Sequence, residues 1–191
     1  MKRIYINIDG VLRNLIQKFD FHYKDNFIQT ESEDNEDFIY EVESKINNDN
    51  LLNYYKFQSK EQYENFRYID FPLEIYGHAN VSYLNVFNDL NNLIYENKKF
   101  KITLIGIDEL GKSKSATLFF LSKNGSLANN IEFIKSKEIK KKWKQCDVWI
   151  TDSEEVIKLC PNNKKAIKFS TEYNQYFDYE NNITKLNEFK L

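Results

Sequence analysis

Short, nearly continuous apolar runs, several of them closed by a polar or glycine residue, constrain this chain more than any other feature. Ile4 to Ile8 ends at Asp9-Gly10, Ile102 to Ile105 runs into Gly106, and Val148-Trp149-Ile150 runs into Thr151-Asp152. Ile131 to Ile134 and Ala166 to Phe169 are of the same kind. Strands buried on both faces read this way, whereas half-exposed strands alternate. Between the runs lie segments with helical spacing: Val81 to Tyr95 (Leu84, Phe87, Leu90, Leu93, Ile94), Ser115 to Leu121 and Ser153 to Leu159. Strands alternating with helices predict an α/β fold, a Rossmann-like parallel sheet flanked by helices. Such sheets gather ligands at the carboxyl ends of their strands, so chemistry is expected there.

The stretch from about Leu15 to Ile75 breaks the alternation. It holds the acidic run Glu31 to Asp37, then Phe38, Tyr40, Tyr54, Tyr55, Phe57, Tyr63 and Phe66, and reads as a largely helical insertion. The expected organisation is a core of residues 1–14 and 80–191 with a cap-like insertion over 15–79. The acidic run is either a solvated loop or part of a partner-binding surface.

With 191 residues, 27 Lys plus Arg and 29 Asp plus Glu, the formal charge of -2 gives no broad electrostatic reason to bind nucleic acid or an acidic membrane. No run is long enough to span a bilayer, so no membrane partner is expected. The start of the chain enters a strand within four residues and meets Asp9 before any signal-length apolar run develops, and two cysteines in a chain this long support no disulfide framework, so a reducing, cytoplasmic setting is expected. Cys146 and Cys160 form neither a disulfide framework nor a zinc-binding spacing with His22 and His78. The histidines read as ordinary surface or lid residues, the cysteines as buried small hydrophobes, and Trp143 and Trp149 as core.

The string Ile6-Asn7-Ile8-Asp9-Gly10-Val11-Leu12 resembles the DxDG(V/T)L signature of the haloacid dehalogenase superfamily, with Asn7 in place of the first Asp. The resemblance implies a Rossmann-like core in which that first Asp attacks phosphorus, the second acts as acid and base, and Mg2+ bridges carboxylate and phosphate. Asn7 has no anionic oxygen for attack and is a poorer magnesium ligand. Asp9 keeps the place of the general acid. Without the resemblance, Asn7 and Asp9 are a strand followed by an Asp-Gly turn.

At the end of the second run, Gly106 stands where the resemblance implies a phosphate-holding Ser or Thr, or it serves the backbone alone. Gly106 to Ser113 also matches G-x-x-x-x-G-K-[ST], a phosphate-cradling loop after a strand and before a helix. In that reading Lys112 holds the phosphate. Asp108 and Glu109 oppose it, since they place negative charge where an anion must sit. The bland alternative is a turn at Gly111 ahead of a helix, with Lys112 and Lys114 as solvated charges.

The segment Lys140 to Glu155 resembles the distal half of the family's small deoxynucleotidases, where a lysine precedes an apolar strand ending in acidic magnesium ligands. Lys141 matches that lysine by spacing and Asp152 the acidic ligand, with Glu155 a second candidate. An alignment on a paired-Asp ending instead puts Thr151 at the metal position. Otherwise the lysines are a solvated helix-end cluster and Asp152 an N-cap.

The resemblance covers roughly residues 3 to 15 and 100 to 169. It implies a magnesium-dependent phosphomonoesterase of the 5'-nucleotidase type, but Asn7, Gly106 and Thr151 depart from the active pattern. The leading expectation is therefore a catalytically degenerate member with an interaction or structural role toward other protein chains. A residual phosphatase with a small phosphorylated ligand and Mg2+, and a nucleotide binder through Gly106 to Ser113, are the rivals. Ser113 to Lys123 resembles segments of this family's proteins in gut bacteriophages, which adds a phage particle assembled in the cytoplasm as an expected location.

Overall fold

Strand β1 (Lys2–Asn7) occupies the middle of the sheet because Ile4, Tyr5 and Ile6 bury side chains on both of its faces. The computed structural model describes residues 1–28, 51–96 and 99–190. β1 pairs in parallel with β4 (Phe100–Ile107) on one side and β6 (Val148–Thr151) on the other. β5 (Ile131–Ile134) extends the sheet beyond β4, while β7 (Lys165–Phe169) and the short β8 (Asn182–Ile183) extend it beyond β6. The order β5-β4-β1-β6-β7-β8 is the doubly wound arrangement, all parallel. The fold is thus the Rossmann-like α/β architecture expected from the alternating runs. Strand order reverses between β1 and β6, so the crevice of such a sheet opens at the ends of these two strands.

Alternate residues serve the two faces. Ile4, Ile6, Leu104, Val148, Ile150 and Ile167 pack under α3 (Val86–Glu96), Phe120 of α4 (Lys114–Lys123) and the C-terminal Leu186 and Phe189. Tyr5, Ile105, Trp149 and Ala166 pack against α5 (Ile139–Trp143) and α6 (Glu154–Lys158) on the other face. Trp143 and Trp149 lie fully buried with ring centroids 5.2 Å apart. Cys146 is buried and Cys160 half-buried.

The Val81 to Tyr95 segment needs a correction. Val81 belongs to β3 (Asn80–Val81), which pairs antiparallel with β2 (Arg13–Asn14), and α3 starts only at Val86. Leu84 precedes the helix and is 91% exposed, so its agreement with the helical spacing is coincidental.

The insertion is helical but broken. It runs through α1 (Leu15–Tyr23), a π turn (Lys24–Ile28), α2 (Lys60–Asn65) and two further π turns, Phe66–Asp70 and Leu73–Gly77. Asn14 caps α1 and Ser59 caps α2 through side-chain acceptors. Its apolar cluster of Phe19, Tyr23, Tyr55, Tyr63, Phe66 and Tyr76 closes onto Ala116 of α4. The acidic run Glu31 to Asp37, with Phe38 and Tyr40, and Lys98 lie outside the described residues. Among the described residues no helix is long and apolar enough to cross a membrane.

Candidate functional site

A cleft of about 250 Å³ opens where the carboxyl ends of the central strands meet the insertion. The core contributes Asn7, Asp9, Glu109, Asp152 and Glu155. The insertion contributes Lys60, Tyr63, Glu64, Arg67 and Tyr68. Asn7, Asp9 and Asp152, predicted from separate motifs, are therefore brought together at the crevice.

Asn7, the last residue of β1, is 4% exposed, and its Oδ1 accepts the indole N–H of Trp149 at 2.7 Å. The position to which the resemblance assigns a nucleophile holds a neutral amide whose oxygen is committed to a core tryptophan. Asp9 begins the turn after β1, and its Oδ1 accepts Nε–H of Arg13 at 2.5 Å. Arg13 is 1% exposed; its Nη1 donates to the Tyr76 carbonyl at 2.7 Å and to Thr117 Oγ1 at 3.1 Å. Asp9 thus neutralises a guanidinium buried under the insertion, which is a structural duty.

Gly10 explains the Asp-Gly pair. Its φ is 78°, and an added β-carbon would fall 1.9 Å from Asp152 Cγ. Only glycine lets the end of β6 lie on the turn after β1. Asp152 is buried, but the cap of α6 is Ser153, whose hydroxyl accepts Val156 N–H at 3.2 Å. The N-cap reading of Asp152 is corrected accordingly. Thr151 is fully buried, its hydroxyl accepting Ser153 N–H at 3.1 Å.

The remaining predicted residues lie apart from the cleft. Gly106 sits inside β4, where a β-carbon would come within 2.9 Å of Phe133 Cδ1, so close strand packing explains it. Lys112 is exposed, and so is Lys141 on α5; neither lines the cleft. Within the lysine run, Lys142 pairs with Glu132 at 2.5 Å, while Lys140 and Lys144 are exposed.

The loop Gly106 to Ser113 turns its amides inward, but onto its own side chain. Asp108, 3% exposed, accepts N–H of Leu110, Gly111 and Ser113 at 3.2, 2.8 and 2.8 Å, and the Ser113 hydroxyl at 2.8 Å. An internal carboxylate fills the place of the anion that such a loop would cradle.

The magnesium site implied by the resemblance can be tested against these donors, and they do not fit it. Asn7 supplies an amide engaged by Trp149, and Asp9 an oxygen engaged by Arg13. Among the described residues no group of three or more His, Cys, Asp or Glu side chains converges so as to hold a metal.

Two buried arginines, Arg13 and Arg67, were not expected. They share Tyr76, whose carbonyl receives Arg13 and whose hydroxyl receives Arg67 Nε–H, while Tyr63 Oη receives Arg67 Nη1–H at 2.5 Å. Burial pushes the Tyr68 and Tyr76 phenols up against the opposing pull of Arg67, so both remain neutral hydroxyls. Their sequence signals were faint: an Arg four residues after Asp9, and an Arg within a tyrosine-rich segment.

Comparison of the chain with protein-family models and with curated proteins returns no match.

Proposed function

We propose that the chain is a haloacid-dehalogenase-like domain without phosphoryl-transfer activity that serves as an interaction or structural component. The observation that carries this reading is Asn7 at the end of β1, its carboxamide oxygen held by Trp149 at 2.7 Å. An amide has no anionic oxygen to attack phosphorus, and losing a covalent nucleophile removes several orders of magnitude in rate. Asp9, left in the place of the acid, is bound to Arg13.

An interaction role draws support from apolar side chains left in solvent. Leu73 and Phe119 flank Gly77 on one surface, 43% and 42% exposed. Together with the resemblance of Ser113 to Lys123 to phage proteins, this extends the proposal to a component of a phage particle. Light scattering of the purified chain and its presence in purified particles test the role. Stable association with itself or with particle proteins is expected; a strict monomer absent from particles overturns it.

A further inference from the structure

The amino ends of the neighbouring strands β4, β1, β6 and β7 form a rim at the opposite end of the sheet from the cleft. Lys99 and Lys101 stand at the start of β4, Lys2 and Arg3 at the start of β1, and Lys164 and Lys165 at the start of β7. The backbone ties these positions together. Lys2 N–H donates to the Lys99 carbonyl at 2.9 Å, Asp147 N–H to the Arg3 carbonyl at 2.8 Å, and Lys165 N–H to the Asp147 carbonyl at 3.1 Å. Lys164 is half-buried and the other five cations are exposed. Among the described residues Asp147 is the carboxylate that meets them, 3.8 Å from Arg3 and 3.3 Å from Lys164.

Arg3 and Lys101 face each other directly in the register of β1 and β4. Like charges on facing positions repel, and an anion laid across them removes that repulsion. Exposed lysines are solvated as they stand, so what points to a ligand is their concentration on one rim, where their fields add. The whole-chain charge of -2 conceals it. The insertion leaves the core after Asn14 and rejoins it at Asn80, at the other end of the sheet.

The chemistry of the rim selects the kind of anion. Protein interfaces are depleted in lysine, and lysine supplies every cation here but Arg3. Membrane-surface elements set apolar side chains beside their cations, whereas the apolar side chains next to these, Ile4, Ile102 and Ala166, are turned into the core. Lysines on flexible stems hold phosphates as point charges and read no base edges. Three strand spacings make the rim roughly 14 Å wide, and a duplex carries one charge per about 1.7 Å of its axis, so several phosphates face the rim at once.

We propose that this rim binds the phosphate backbone of a nucleic acid duplex without reading its sequence. The site lies away from the cleft and stands whether or not the cleft has lost its chemistry.

The test is fluorescence anisotropy of a labelled DNA duplex of about 20 base pairs, titrated with the full chain from about 50 to 200 mM salt. Binding is expected with a log–log salt slope of about -4, and with equal affinity for a duplex of scrambled sequence. The triple variant Lys2→Gln, Lys101→Gln, Lys165→Gln changes exposed side chains; it should weaken binding roughly tenfold or more and flatten the slope by about three. The variant Lys114→Gln, Lys135→Gln, Lys137→Gln removes the same charge from exposed positions beyond the carboxyl ends of β4 and β5, and should bind within about twofold of the native chain. No binding at about 50 mM salt, equal losses in the two triple variants, or tighter binding to polyglutamate or to phosphatidylserine vesicles than to the duplex overturns the proposal.

Discussion

The carboxyl group of Asp152 rests on the α-carbon of Gly10, so that a β-carbon at Gly10 would stand 1.9 Å from Asp152 Cγ. This contact fastens the end of β6 to the turn after β1 across the point where strand order reverses. Gly10→Ala must both adopt a φ of 78° and displace a buried carboxylate. A loss of about 2–4 kcal/mol is expected from the two effects together, measured as a lower urea midpoint. An unchanged midpoint would mean that the two strand ends are not in contact.

The Asp9–Arg13 pair should behave as a buried ion pair, with side chains 14% and 1% exposed. Asp9→Ala strands the guanidinium and should cost about 3–5 kcal/mol. Adding Arg13→Met to Asp9→Ala should recover much of that loss, because an apolar side chain then replaces an unpaired charge. Chemical denaturation of the two single variants and the double variant reads this directly. Additive losses would contradict it.

His22 gives the insertion a pH dependence. Its ring stacks on Phe71 at 5.6 Å, its buried Nε2 has no hydrogen-bond partner among the described residues, and burial, aided by Lys18, lowers its pKa from the usual value. Glu74 and Asp25 oppose that shift. The unfolded chain therefore takes up a proton more readily than the folded one. Stability is full above the ordinary histidine pKa of about 6.5 and falls as the pH drops through the window beneath it. His22→Phe should flatten thermal stability between about pH 7 and pH 5. A profile identical to that of the native chain would rule His22 out as the source.

Asp108 should matter for the fold and not for nucleotides. Removing it in Asp108→Ala leaves the amides of Leu110, Gly111 and Ser113 without their acceptor and should cost about 2–3 kcal/mol. Differential scanning of the native chain with millimolar ATP should show no upward shift. A shift that Lys112→Ala removes would mean that the loop opens around phosphate after all.

The main strands were legible because two-sided burial writes itself as apolar runs such as Ile102 to Ile105 and Val148 to Ile150. β2, β3 and β8 are too short to leave a pattern. The insertion was readable as helical in outline, but its aromatic side chains gather from many directions around Phe19 and Phe66 rather than from one stripe, so its breaks were not. Asn7, Asp9 and Asp152 were legible because motif and strand end coincide. Arg13 and Arg67 were not, since an isolated arginine in a sequence reads as a solvated charge until the fold buries it. Lys112 and Lys141 show the converse: spacing matched a motif, and the chain carried both to exposed positions away from the cleft.

Phosphatase turnover tests the central claim most directly. The native chain, Asn7→Asp and Asp9→Asn would be assayed with magnesium on a panel of nucleotides and sugar phosphates. The account predicts that the native chain, with an amide held by Trp149 where a nucleophile is required, releases no phosphate above the uncatalysed rate. Native turnover that disappears in a folded Asp9→Asn variant would contradict it and make this cleft the active site of an enzyme.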